Sequence, residues 1–296
     1  MSGGWLVTGA GGMLGRDLVE LLRRRDGKVT GLAHGDLDIT DAEAVRGALA
    51  GYGPDVVVNC AAWTAVDDAE THEEDALKIN GGAVAHLATA CAAAGAKLVQ
   101  LSTDYVFDGR ATSPYAEDDA PAPGTAYGRS KLAGERAVLR LLGEDGYVVR
   151  TAWLYGANGP NFVRTMIKLE HERPSVDVVA DQHGQPTWTV DVADQIGQLV
   201  RAGARGGVYH ATSSGDTTWF EFAREIFRLL GADPGRVRPT TSDAFVRPAQ
   251  RPAYSVLGHD RWLQAGIEPI GHWQLALRRA FLEFSQTGIP DLAASG

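Results

Sequence analysis

The sequence predicts a doubly wound α/β fold: a mainly parallel sheet with helices on both faces, followed by a smaller irregular C-terminal region. Short apolar runs alternate with helical patterns through the first half of the chain, the signature of βαβ units with right-handed crossovers. The runs are mostly apolar on both faces, as central parallel strands require. A turn dense in glycine follows the first run at once.

In chain order the predicted strands are "GWLVTG" (4–9), "KVTGLA" (28–33), "DVVVNC" (55–60), "KLVQLS" (97–102) and "YVVRTA" (147–152). Between them "MLGRDLVELLRRR", "DAEAVRGALAGY", "EEDALKINGGAVAHLATACAAAG" and "YGRSKLAGERAVLRLLGED" carry helical periodicity. After about residue 155 the regularity fades into loop-rich stretches such as "NGPNF", "DQHGQPTW" and "RPTTSDAFVRPAQRPAYS". One more strand, "GVYHAT" (207–212), is expected to return to the sheet. A helix over 218–231 follows, with Phe220, Ala223, Ile226 and Phe227 on one stripe. These patterns divide the chain into a sheet domain over 1–155 and a discontinuous second domain over 156–296 that caps the crevice at the strands' carboxyl ends.

At 296 residues the chain buries a substantial core. Its 44% hydrophobic and 22% charged content is that of an ordinary globular protein. A formal charge of −9 argues against nucleic acid as a partner. No run approaches the ~18 apolar residues of a membrane span, and "MSGG" lacks the basic flank of a signal peptide. The two cysteines, Cys60 and Cys91, read as buried and unpaired, which suits the cytoplasm. No His/Cys group has zinc-ligand spacing.

"VTGAGGMLGRDL" sets Gly9, Gly12 and Gly15 as G-x-x-G-x-x-G between the first strand and a helix beginning at Met13 and Leu14. Glycine there permits a tight turn and close backbone approach to a pyrophosphate, which the helix N-terminus attracts. This is the fingerprint of a dinucleotide-binding Rossmann sheet. An acidic residue ending the second strand would hydrogen-bond a ribose 2′-OH. Here Ala33 and His34 stand at that point, Asp36 comes slightly late, and Arg16 offers a cation to a 2′-phosphate. NADPH is therefore favoured, with NADH the alternative. Asp38 and Ile39 are expected at the adenine edge; for Asp38 the other reading is a helix N-cap, contested by Thr40 and Asp41. Ala61 and Ala62 should lie under the nicotinamide ribose, where small side chains are needed.

"STDY" brings Thr103 to the end of the fourth strand, and "YGRSK" sets Tyr127 and Lys131 four apart on the next helix, hence on one face. Reducing a carbonyl requires a proton for its oxygen. A phenol can deliver it if a neighbouring ammonium lowers its pKa, and a hydroxyl can orient the oxygen.

Together "NCAAWTAVDDAE", "STDYVFDG", "YGRSKLAGE", "RTAWLYG", "DQHGQPTW" and "RPAYSVL" resemble the extended short-chain dehydrogenase/reductase family and, within it, the dTDP-4-dehydrorhamnose reductase family. The resemblance implies reduction of the 4-keto group of a dTDP-4-keto-6-deoxyhexose by a monomer or homodimer. The leading reaction is dTDP-4-dehydrorhamnose to dTDP-L-rhamnose; other dTDP-4-keto sugars of secondary metabolism, of the dihydrostreptose type, remain alternatives. An epimerase, a dehydratase or a non-catalytic regulatory subunit would share the scaffold, but a dehydratase wants an Asp-Glu pair after Thr103, where this chain has Asp104-Tyr105. The resemblance assigns catalysis to Thr103, Tyr127 and Lys131, and sugar contacts to Thr64, Val66, Asp104, Tyr105 and Trp153. Thr64 also borders the cofactor. Asn161, Phe162 and Arg251 are candidates for the nucleotide diphosphate and base. Some members hold magnesium through acidic residues; Asp17 matches one position but Val190 stands at another, so no metal is expected.

Overall fold

In a computed structural model of the chain, residues 4–287 are described. Residues 1–3 and 288–296, which the domain ranges above include, lie outside the described residues. The first half runs β1 (Gly4–Thr8), α1 (Met13–Asp26), β2 (Val29–Leu32), α2 (Ala42–Tyr52) and β3 (Pro54–Asn59). It continues with α3 (Glu73–Leu77), α4 (Ala83–Ala94), β4 (Lys97–Thr103), α5 (Ala126–Leu142) and β5 (Gly146–Thr151). The second half begins with β6 (Leu154–Tyr155), α6 (Phe162–Glu172), β7 (Val176–Val179), β8 (His183–Gly184), β9 (Thr187–Trp188) and α7 (Thr189–Arg201). It ends with β10 (Gly207–His210), β11 (Thr217–Thr218), α8 (Trp219–Leu229), β12 (Val237–Thr240), α9 (Asp260–Gln264) and α10 (Trp273–Thr287).

Six strands form one parallel sheet in the order β10-β5-β4-β3-β1-β2. The run expected at 207–212 joins it as the shorter β10, beside β5. Strand order reverses between β1 and β3, and a parallel sheet opens a ligand crevice at that point. Side chains alternate across the sheet. Trp5, Val7, Val56, Val58, Val99 and Leu101 pack on one face against α1 and α7 through Leu18, Leu22, Ile196 and Leu199. Leu6, Val57, Leu98 and Val148 pack on the other against Val45, Leu87 and Val138 of α2, α4 and α5. A separate core gathers α6, α8 and α10 around Ile167, Phe222, Phe227, Leu277 and Phe284.

Two expectations need correction, and a third is refined. The helical pattern over 73–95 holds as one continuous helical run, in which a π turn at Lys78–Gly82 joins α3 to α4. There α5 comes so close that a Cβ on Gly134 would lie 2.2 Å from the Asn80 carbonyl. The turn directs the Asn80 amide inward, where it bonds the Trp63 backbone and the Ser130 hydroxyl. On α8 the buried stripe is Phe222, Ala223, Ile226 and Phe227; Phe220 sits at its margin under the Arg224 guanidinium. Cys91 is buried, but Cys60 is only partly covered and reaches the crevice wall. No helix among the described residues is long and apolar enough to cross a membrane.

Candidate active site

A cleft of about 1140 Å³ runs from the glycine turn, past the ends of β3, β4 and β5, to the C-terminal half. That is more than a single small ligand fills.

Its first end is made of backbone. Gly9 has φ +66°, and a Cβ there would lie 2.4 Å from the Ala61 amide nitrogen; one on Gly15 would lie 2.3 Å from the Gly9 carbonyl. Strand, turn and helix are thus packed as tightly as atoms allow, and only glycine fits. Gly12 caps α1 with no side-chain acceptor, which leaves the first-turn N–H groups of α1 free for an anion. Gly12, Met13, Leu14 and Arg16 line this end with Ala61 and Ala62. Beside them stand His34, Asp38 and Ile39, while the Arg16 Nε donates to the Gly11 carbonyl at 3.0 Å. The Asp36 carboxylate turns back to accept from the Ala33 amide at 2.8 Å and does not line the cleft. Asp41, not Asp38, caps α2, accepting from the Glu43 and Ala44 amides. Asp38 instead accepts from the Thr40 amide and hydroxyl, which hold its carboxyl below the usual range.

The middle carries the reactive groups. Thr125 caps α5 by accepting from the Gly128 amide, and a Cβ on Gly128 would lie 2.1 Å from the Tyr105 carbonyl. This contact seats the first turn of α5 directly on the segment after β4. It sets the Tyr127 ring edge-on to Tyr105, with centroids 5.7 Å apart, and its hydroxyl against Thr103. Thr103, Tyr127 and Lys131 all line the cleft. The Lys131 Nζ donates to the Leu101 carbonyl at 2.6 Å, and burial pushes its pKa down to about 8.

The expectation that Lys131 acidifies Tyr127 is not met in this arrangement. Burial first, then the nearby Asp104 charge, raise the phenol above its usual range, and the Thr103 hydrogen bond only partly offsets them. Tyr127 is consequently held protonated, the state a proton donor needs. Asp104 itself is 3% exposed, accepts from Thr103 at 2.9 Å, and has its second oxygen without a hydrogen-bond partner. Burial lifts its pKa to about 6.

The far end is lined by Thr64, Val66, Tyr105, Trp153 and Arg251. Trp153 is non-glycine yet has φ +48°, a conformation that costs about 1–3 kcal/mol and concentrates at functional sites. Its indole stacks on Trp219 with centroids 3.6 Å apart, and a Cβ on Gly184 would lie 2.5 Å from its ring. Arg251 is not a free fork: it binds both Asp67 oxygens at 2.7 and 2.8 Å. Asn161 and Phe162 do not line the cleft. The Asn161 side chain caps α6 and donates to the Gly156 carbonyl, and Phe162 packs on Trp219 and Phe222. Sequence reasoning missed Trp219 and Gln182, which do line it. A tryptophan in the first turn of α8, where the helix meets the loops around the crevice, was the available signal. Asp17 is buried between the Thr189 hydroxyl and the Asn158 amide, and burial raises its pKa.

The chain matches the family described as the RmlD substrate binding domain over residues 4–286. It belongs to that family, the dTDP-4-dehydrorhamnose reductases, NAD(P)-dependent oxidoreductases of nucleotide sugars. It is 60% identical over 281 residues to a dTDP-4-dehydrorhamnose reductase of Streptomyces griseus, covering 94% of this chain and 92% of the relative. It is 57% identical over 281 residues to a dTDP-4-keto-6-deoxy-D-glucose reductase of Streptomyces niveus, covering 95% and 97%. Among solved structures it is similar to the dTDP-4-dehydrorhamnose reductase of Bacillus anthracis in complex with NADP. That likeness has a TM-score of 0.92 and 38% identity, covering 96% of this chain and all of the other.

Proposed function

We propose that this chain reduces the 4-keto group of a dTDP-4-dehydro-6-deoxyhexose with NADPH, dTDP-4-dehydrorhamnose being the leading substrate. The observation that carries this reading is the convergence of Thr103, Tyr127 and Lys131 on the same cleft as the glycine cradle. The cradle would hold the pyrophosphate through the N-terminus of α1, with Ala61 and Ala62 below the ribose. Arg16 and His34 beside it, and Asp36 folded into its own turn, favour a 2′-phosphate. When bound, the reduced nicotinamide supplies the hydride.

The chain's own residues manage the proton. The Thr103 hydroxyl, which donates to Asp104 in this arrangement, would turn its proton to the carbonyl oxygen, orienting and polarising it. The Tyr127 phenol gives its proton to that oxygen as charge develops there. Lys131, a buried cation one helical turn on, would hold the nicotinamide ribose beside it. Thr64, Val66, Asp104, Tyr105 and the Trp153 face line the space for the hexose, and the C-terminal half serves as the nucleotide-sugar side. The 4-keto sugars named for the relatives differ, and rhamnose-type or secondary-metabolic substrates need the same chemistry at C4.

The test is a panel of dTDP-4-keto-6-deoxysugars assayed with NADPH and NADH by loss of absorbance at the nicotinamide band. Stoichiometric oxidation with dTDP-4-dehydrorhamnose, faster with NADPH, is expected. Tyr127→Phe should lower kcat by about 10²–10⁴. Hydride returned within the cycle, leaving no net oxidation, would sink the reading.

A further inference from the structure

Beneath the reactive end of the sheet lies a buried charged cluster that the proposed reaction does not use. Glu135 is 1% exposed and Arg150 2%. The Arg150 Nε and Nη2 donate to the two Glu135 oxygens at 2.9 and 2.8 Å. The Ser102 hydroxyl donates to the same carboxylate at 2.5 Å. Arg150 is held from the other side by the Phe107 ring, 4.9 Å from its guanidinium carbon, and by the His210 Nε2 at 3.3 Å. His210 Nδ1 faces the Gly258 carbonyl at 3.0 Å, which makes Nε2 the acceptor. Every polar atom of the pair is engaged.

Such a pair is a poor device for stability alone, because desolvating two charges offsets most of their attraction and apolar residues of equal size often do better. Its place in the fold suggests another use. Tyr127, Lys131 and Glu135 are spaced by four along α5 and so share one face of the helix. Two successive rungs tie that face to β4: Lys131 to the Leu101 carbonyl, and Glu135 to Ser102, the residue before Thr103. Arg150 adds a third anchor from β5.

We propose that Glu135, gripped by Arg150 and Ser102, is the positioning residue for Lys131: it fixes α5 against β4 and β5 and keeps the buried ammonium charged. The inference rests on the reductase reading, in which Lys131 must be a cation. The titratable groups that act on Lys131 are Glu135 on its own helix and Cys60 after β3; Tyr127 lies one turn earlier on α5, and Arg150 and His210 lie behind Glu135. Burial pushes Lys131 down, and Glu135 is the first group that pushes back. Arg150 lies beyond the carboxylate, so Glu135 dominates at Lys131.

The chain has five lysines, which makes a carbon-13 NMR titration of the lysine side chains practicable, with Lys131→Met assigning the signal. The Lys131 ammonium should titrate about one pH unit lower in Glu135→Gln than in the native protein. In Glu135→Gln/Arg150→Met, where both charges are gone, it should fall between the two. In parallel, kcat of Glu135→Gln should begin to fall about one pH unit lower, with KM for the nucleotide sugar within about twofold. Titrations superimposable on the native one in both variants would overturn the inference. Should Glu135→Gln not fold, with Arg150 left unpaired, the neutral double variant decides: a Lys131 titration below the native one supports the inference, and an equal one overturns it. A moved titration with an unmoved kcat profile would uphold the charge coupling and remove Lys131 from the reaction; native turnover in Lys131→Met would overturn the reductase role of Lys131 on which the inference rests.

Discussion

At one end of the cleft the wall is backbone, with Gly9, Gly12 and Gly15 pressed against Ala61 and the start of α1. At the other it is large side chains: Trp153 stacked on Trp219, beside Arg251 clasped by Asp67. The first end achieves its shape by leaving atoms out. A missing Cβ cannot reorient, so that end is rigid and depends on local chain geometry. The second end depends on contacts between residues far apart in sequence, each of which can be loosened singly. Damage should therefore be steep and specific to the cofactor at the first end, and graded and specific to the sugar at the second.

The sharpest break of this contrast is Gly9→Ala. The added methyl meets the Ala61 amide at 2.4 Å in a left-handed backbone, and neither strand can retreat from the sheet. NADPH affinity, measured by titration calorimetry, should weaken by about 100-fold or more, with a strain of at least about 1–3 kcal/mol visible as a lower Tm. Native affinity would mean that the glycine turn is not the cofactor's seat.

Trp219→Ala addresses the opposite end. Removing the stack frees Trp153 from its strained conformation. With aromatic pairs contributing about 0.5–1.5 kcal/mol beyond burial, KM for the nucleotide sugar should rise about tenfold. NADPH affinity should hold. Equal losses in both would erase the distinction between the two ends.

The same contrast explains what could be read from the sequence. The strands, the glycine turn and the Tyr127/Lys131 face follow from short-range rules, period two, period 3.6 and a required absence of side chain, and each is visible within about a dozen residues. Asn161 misled because "GPNF" reads equally as a binding loop or as a helix start, and its amide caps α6. Phe222 was missed in favour of Phe220 because α8 buries its face against α6 and α10, neighbours whose direction no local pattern records. The π turn at Lys78–Gly82 packs closely on α5, some fifty residues later, a contact that no local pattern records. The Trp153–Trp219 stack and the Arg251–Asp67 pair are likewise long-range.

Between the two ends, Asp104→Asn has a pH-dependent effect that falls on stability and not on binding. Burial raises the Asp104 pKa from 3.8 to about 6, so the folded state binds this proton more tightly than the unfolded chain. Stability from this group is present at low pH and is lost as pH rises from about 4 to about 6. Asparagine does not ionise, so at pH 7 the variant should be more stable than the native protein by about 1–3 kcal/mol, with the advantage vanishing near pH 4. Thermal melts across that range check it. A gain independent of pH would assign the cost to packing instead of charge.

The smallest expected effect is none, and it concerns the seam where α1 meets the C-terminal half. Asp17 matches a magnesium position implied by the family resemblance, but its carboxylate already accepts from the Thr189 hydroxyl and the Asn158 amide. Val190 brings no charge where a second acid would be wanted. The adjacent Asp191 is paired with the Arg279 guanidinium, Nη2 reaching one carboxylate oxygen at 2.6 Å. A hard divalent cation needs several oxygen ligands, and here the nearest carboxylates are committed to hydroxyl, amide and guanidinium donors that would have to be displaced first. Turnover should accordingly be unchanged by EDTA and by added magnesium. Activity abolished by the chelator and restored by magnesium would show that the seam between the halves is a metal-binding element and not a hydrogen-bonded joint.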